Sequence, residues 1–255
     1  MARKRASGFL LVALLAVVGA NLVPSASATL IDEGNGTVLD TSTNLLWLKD
    51  ANYAAGLSAG QINTIISDVG AVAGHTLTTA DFAGSGLMTW WGAMAWAQDL
   101  TFAGSDDWRL PTMTDTGAPG CAAIAFMGTD CGYNVDLATG ELARLWYASL
   151  GNTAFYDTSG NQTGCSLSVP YCFTNQSPFI NALPSDIYLD WSPTEYAPLN
   201  ISAWYFNVYG GYQYAVVKEQ TAHGWAVRSA TVPEPGTLAL LFIGLTGYGF
   251  ARRER

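Results

Sequence analysis

Ala203-Trp-Tyr-Phe-Asn-Val-Tyr209, then Gly210-Gly211, then Tyr212-Gln-Tyr-Ala-Val-Val217 is the stretch that sets the fold class. Two aromatic and β-branched runs joined by a glycine pair read as an antiparallel hairpin. Period two puts Trp204, Phe206 and Val208 on one face and Tyr205, Asn207 and Tyr209 on the other. One face is expected to be core and the other wet. A third strand is expected in Gly224-Trp-Ala-Val-Arg-Ser229.

Upstream, Ile31-Asp-Glu-Gly-Asn35-Gly36-Thr-Val-Leu-Asp40 carries an Asn-Gly pair between extended segments, and Leu45-Leu-Trp-Leu48 continues as a buried strand. Asp32, Asn35 and Asp40 lack the twelve-residue calcium loop with its closing glutamate, so they read as turn residues. Residues 54–86 are rich in Ala, Gly, Ser and Thr and read as an insertion with a helix at 61–69. Trp90, Ala93, Met94 and Ala97 recur at helical spacing, which predicts a core helix over 88–100. A second amphipathic helix over 141–150 presents Leu142, Leu145, Trp146 and Leu150, with Gly151 as its stop.

Of the 255 residues only 12% are charged, against roughly 25% in an average soluble domain. Between 29 and 232 there are five basic and eighteen acidic residues, a net −13, which leaves no footprint for a phosphate backbone and excludes nucleic acid as a partner.

The ends read as addresses. Arg3, Lys4 and Arg5, the apolar run 8–20 and the small residues Pro24-Ser-Ala-Ser-Ala28 form a secretory signal peptide, 1–28, cut by signal peptidase. In an exported chain the even set Cys121, Cys131, Cys165 and Cys172 implies disulfides, with Cys121–Cys131 and Cys165–Cys172 favoured because each pair brackets a short loop. Neither spacing suits a zinc knuckle. No metal or cofactor site is expected; calcium-dependent folding would point to a loop site that the sequence does not locate.

At the other end Val232-Pro233-Glu234-Pro235-Gly236 precedes an apolar run, 237–251, and Arg252-Arg253-Glu254-Arg255. Fifteen helical residues reach about 22 Å, a short transmembrane helix against a hydrocarbon core of about 30 Å. The arginines stay cytoplasmic and leave the body outside. Residues 232–255 resemble the PEP-CTERM sorting signal of Gram-negative bacteria. That resemblance implies processing by an exosortase, a precursor held transiently in the inner membrane, and association with exopolysaccharide and biofilm matrix.

The body, 29–231, carries Asn35-Gly-Thr-Val-Leu-Asp40 with Leu45-Leu-Trp47, Asp107-Trp108-Arg109-Leu110-Pro111-Thr112, Tyr188-Leu-Asp-Trp191-Ser-Pro-Thr-Glu195-Tyr196, Ala203-Trp-Tyr-Phe-Asn207 and Trp225-Ala-Val-Arg228. In that order these resemble the landmarks of the Lcl C-terminal-domain-like family. The resemblance implies an α+β fold, C-type-lectin-like or formylglycine-generating-enzyme-like, with a twisted antiparallel sheet, two helices and long loops. Its founding member sits on an adhesin, which implies surface adhesion or glycan contact. Pro193 departs from the family pattern and removes a ladder hydrogen bond, so a bend or edge position is expected there.

Trp108, Arg109, Glu195 and Arg228 read as structural. A guanidinium among apolar neighbours requires a carboxylate, and Asp106, Asp107, Glu141 and Glu195 are the candidates. No Gly-x-Ser-x-Gly elbow or His-Glu-x-x-His helix is present, and neither histidine sits in a triad setting, so no catalytic residues are assigned. Tyr205, Asn207, Tyr209, Tyr212 and Gln213 form the candidate binding patch, because rings beside amides suit sugar faces; cross-strand aromatic pairing accounts for the same residues without a ligand. The expected function is an exported envelope or matrix protein contacting exopolysaccharide. An enzyme on the formylglycine-generating-like fold and a purely structural matrix component remain the alternatives.

Overall fold

A computed structural model describes residues 29–117, 125–126, 130–138, 140–165, 171–182 and 189–230. The architecture is mixed α+β. In chain order the strands are β1 Leu30–Asp32, β2 Thr37–Asp40, β3 Leu45–Leu48, β4 Ala71–Val72, β5 His75–Thr76, β6 Phe82–Gly84, β7 Leu87–Met88, β8 Gly132–Tyr133, β9 Leu189–Glu195, β10 Ser202–Asn207, β11 Tyr212–Val217 and β12 Val227–Ser229. They build two four-stranded sheets, ordered β1-β2-β3-β12 and β8-β11-β10-β9, and two small hairpins, β4-β5 and β6-β7. Every pairing within these sheets is antiparallel.

The first sheet starts at the Asn-Gly signal. Asn35 Oδ1 accepts from both the backbone N–H and the hydroxyl of Thr37 at 3.1 and 2.7 Å. Asp32 accepts from Gly34 N and Asp40 from Ser42 N, so all three acidic or amide side chains do turn work. The expected hairpin is β10-β11, in register from Ser202 opposite Val217 to Asn207 opposite Tyr212. Its turn needs Gly211, where φ is +71° and a Cβ would collide with the Trp146 ring. The strand after it, β12, does not extend this hairpin. It crosses to pair with β3 and closes the first sheet.

Pro193 lies on β9, the edge strand of the second sheet, where the register against β10 shifts between Ala203 and Tyr205. A proline without a donor is tolerated there because no ladder bond is demanded of it.

The described residues hold three α-helices, where the family resemblance implies two. α1, Ala59–Val69, begins two residues before the predicted start, at a capping box in which Ser58 N donates to Gln61 Oε1 (3.0 Å) and Gln61 N to Ser58 Oγ (3.3 Å). α2, Trp90–Asp99, is capped by Thr89 and buries Trp90, Gly92, Ala93, Ala95, Trp96 and Ala97. It is therefore apolar nearly all round, as a helix inside a core must be. α3, Glu141–Arg144, continues into a π turn, Leu145–Ser149, and ends before Gly151 at φ +69°. Leu142, Leu145, Trp146 and Leu150 are all buried as the spacing requires.

Cys165 and Cys172 form the expected disulfide, Cα atoms 5.0 Å apart. Cys131 is disulfide-bonded too, while Cys121 of the expected second pair lies outside the described residues. The leader 1–28 and the apolar run 237–251 also lie outside them. Among the described residues no helix is long and apolar enough to cross a membrane.

Two predictions test this packing. Gly92→Ala in an exposed helix would add up to about 1 kcal/mol, but here the new Cβ would strike the backbone carbonyl of Asp81. The expected result is a loss of about 1–3 kcal/mol in denaturant unfolding; an unchanged or raised midpoint contradicts the packing. Burial pushes the Asp190 carboxyl up to about 7. A native-state pKa above the unfolded value means the folded chain holds the extra proton, so this residue's contribution falls as pH rises from about 4 to about 7 and is flat above. Asp190→Asn should remove that slope and leave the chain at least as stable as wild type at pH 8. A variant less stable than wild type at pH 8 refutes the assignment.

Candidate functional site

The predicted wet face is not wet. All six residues of β10 are buried, because both faces of the strand are covered. Phe206 meets Trp146 of the π turn at 5.9 Å between ring centroids, and Tyr205 lies between Tyr212 and Tyr214 at 6.4 and 6.2 Å. Trp204 occupies a separate small cluster with Met113, edge-on to Tyr196 at 5.3 Å.

The polar members of the predicted patch are spent internally. Asn207 Nδ2 donates to the Tyr212 hydroxyl at 3.2 Å, and its Oδ1 accepts from Gly210 N at 2.9 Å. Gln213 is fully buried and donates to the Asp130 carbonyl at 2.8 Å. Tyr205, Asn207 and Gln213 are therefore hidden, and only Tyr209 and Tyr212 keep half-exposed rings.

Those two rings belong to a wider tyrosine cluster. Tyr171 lies 4.1 Å from Tyr209, and Tyr133 lies 5.1 Å from both Tyr212 and Tyr156. Phe126, an exposed ring, packs on Tyr156 at 5.0 Å. Burial, helped by the neighbouring phenols, pushes the Tyr133 hydroxyl up to about 12. Tyr147 anchors the cluster from behind: its hydroxyl donates to the Gly211 carbonyl and accepts from Asn134 N at 3.0 Å.

The residues read as structural find structural partners. Arg109 makes a two-pronged pair with Glu141, at 2.6 and 2.7 Å, and Thr112 N adds a bond to the same carboxylate at 2.7 Å. Backbone bonds between Arg109 and Val227 in both directions, 2.9 and 2.8 Å, fasten the string to β12. Trp108 donates its indole N–H to the Phe102 carbonyl at 3.2 Å. Arg228 lies 5.6 Å over the Trp108 ring and 3.6 Å from Asp107. Glu195 pairs with neither arginine; it takes Lys218 at 2.6 Å.

Two clusters escaped the sequence. His75 stacks on Trp91 at 4.1 Å and bonds through Nε2 to Asp81 at 3.0 Å. Burial works against the Asp81 carboxylate, but bonds from Thr78 N, the Thr89 hydroxyl and His75 outweigh it and hold the carboxyl below its usual range. His75 and Trp91 line a basin of about 500 Å³ that also reaches Glu195 and Lys218, with Asp81 buried behind them. The second is a cleft of about 410 Å³ walled by Ser42, Thr43, Thr112, Thr114, Glu141 and Arg144. Its signal in the sequence was the scarcity of cations: Arg144 is one of five in the body, in no landmark. Among the described residues no group of three or more His, Cys, Asp or Glu side chains is placed to hold a metal ion.

No curated protein and no solved structure matches the chain. Residues 231–255 match the family described as the PEP-CTERM protein-sorting motif, and this motif indicates an exported, envelope-targeted protein that exosortase processes.

Proposed function

We propose that the chain is a non-catalytic component of the cell envelope or extracellular matrix whose body contacts exopolysaccharide through the tyrosine surface around Tyr209 and Tyr212. On this reading signal peptidase removes 1–28, the body is 29–231 with 54–86 as an insertion, and exosortase acts on 232–255, whose short helix holds the precursor in the inner membrane. The body is read as an Lcl C-terminal-like, lectin-like domain.

The observation that carries the reading is the ring packing. Tyr171 braces Tyr209 at 4.1 Å, and Tyr133 braces both Tyr212 and Tyr156 at 5.1 Å, so partly exposed rings are held at fixed angles. Rigid amphipathic rings of this kind lose little entropy when a sugar face stacks on them. A thiol-using oxidase on a formylglycine-generating-like fold draws no support from the cysteines, since none of those described is free.

Tyr209→Ala should cut retention of the protein on the host's purified exopolysaccharide about two- to twelvefold, the value of one ring contact of about 0.5–1.5 kcal/mol, with the thermal midpoint unchanged. Absence of retention in the wild type, or equal retention in the variant, sinks the glycan role. Intact mass of the surface-extracted protein should report both ends trimmed and all four cysteines oxidised. Replacing Pro233, Glu234 and Pro235 by alanine should leave the C-terminal segment attached; a full-length C-terminus in the wild type contradicts the processing scheme.

A further inference from the structure

The body has five cations, and four of them have a carboxylate. Lys49 meets Asp32 at 2.6 Å, Arg109 meets Glu141, Lys218 meets Glu195 and Arg228 meets Asp107. Arg144 has neither an ion pair nor a hydrogen bond among the described residues, and its Nε is buried with no acceptor. A recessed guanidinium without a partner is costly, because its hydration has been reduced and nothing replaces it. In a chain with eighteen acidic residues in the body, such an omission calls for an explanation.

The surroundings show why no internal carboxylate reaches it. Glu141, three residues earlier on the same helix, is saturated by both guanidinium nitrogens of Arg109 and by Thr112 N. Asp40, behind Ser42, accepts from Ser42 N, the Ser42 hydroxyl and the Ser149 hydroxyl at 2.9, 2.7 and 2.6 Å. Glu141 and Asp40 are thus both committed. Arg144 is left as the surplus charge in the wall of a cleft whose volume, about 410 Å³, falls among those of small-molecule sites, roughly 300–1,000 Å³.

The rest of the wall is mostly hydroxyl. The Thr112 and Thr114 hydroxyls make no hydrogen bond among the described residues, and Ser42 and Thr43, which also line the cleft, keep acceptor capacity. Leu45 and Leu137 supply an apolar strip. A guanidinium that pairs with a planar carboxylate, hydroxyls along the rim and a short apolar wall together describe a ring that carries hydroxyls and one carboxylate.

We propose that the Arg144 cleft binds a uronate, a carboxylate-bearing sugar unit, with the guanidinium on the carboxylate and the Thr112 and Thr114 side chains on ring hydroxyls. The ligand is sparsely charged. One cation is available, and a body of net −13 repels a densely sulfated or phosphorylated chain. This inference shares only its ligand class with the tyrosine surface and is built on different elements, so the two readings fail separately.

The test uses the full chain in detergent, titrated calorimetrically with trigalacturonate and with its trimethyl ester, a neutral compound of nearly the same shape. The acid is expected to bind at least tenfold more tightly than the ester, and Arg144→Gln to abolish that difference. Phenylglyoxal modification of the wild type gives a second reading that needs no variant. Peptide mass analysis should show Arg144 protected by trigalacturonate and unprotected by the ester. Equal binding of acid and ester, no binding of the acid, or labelling of Arg144 unaffected by the acid overturns the proposal. If Tyr209→Ala weakens exopolysaccharide retention while Arg144→Gln leaves acid and ester binding unchanged, the tyrosine surface stands and the uronate site falls.

Discussion

Indole N–H groups buried against backbone carbonyls hold the two halves of this chain together. Trp90 at the start of α2 donates to the Ser192 carbonyl at 2.8 Å, and Trp191 donates back to the Met88 carbonyl at 3.0 Å. This reciprocal pair ties β7 and the helix entry to the edge strand β9, about a hundred residues away. Trp225 donates to Leu48 O at 2.9 Å and Trp146 to Val208 O at 3.1 Å. Each of these indoles contributes a large apolar body and places its N–H on a buried backbone carbonyl. With strands of two to seven residues, ladder bonds alone would not bring these segments into register.

The same economy governs charge. Few cations remain in the body, and four of the five are fixed against carboxylates, two of them also over indole rings: Lys218 lies 4.6 Å above Trp90 and Arg228 lies over Trp108. The Trp108-Arg109 string thus joins the helix α3, through Glu141, to the closing strand of the first sheet. Arg144 stands outside this scheme, and the cleft it lines carries a positive charge with no partner among the described residues.

An exported destination fits the construction. The PEP-CTERM motif at 231–255 directs the chain to the envelope, where an oxidised pair such as Cys165–Cys172 persists. A low charge content and a core rich in tryptophan set the body apart from an average soluble domain.

The sequence by itself determined what depends on neighbours a few residues apart. The Asn35-Gly36 turn, the β10-β11 hairpin, the spans of α2 and α3, the short-loop disulfide Cys165–Cys172 and the sorting motif were all legible because turn chemistry, periodicity and loop closure are local. Only the tertiary structure decided where those elements went. It sent β12 to β3 rather than to β11, covered the Tyr205 face that period two left free to be wet, turned the end of α3 into a π turn, and brought His75 to Asp81 and Trp91. It also gave Glu141 to Arg109 and left Arg144 alone. A strand pattern fixes which residues share a face, but burial of that face depends on what distant segments are laid against it, and a charge finds its partner only when the chain has closed.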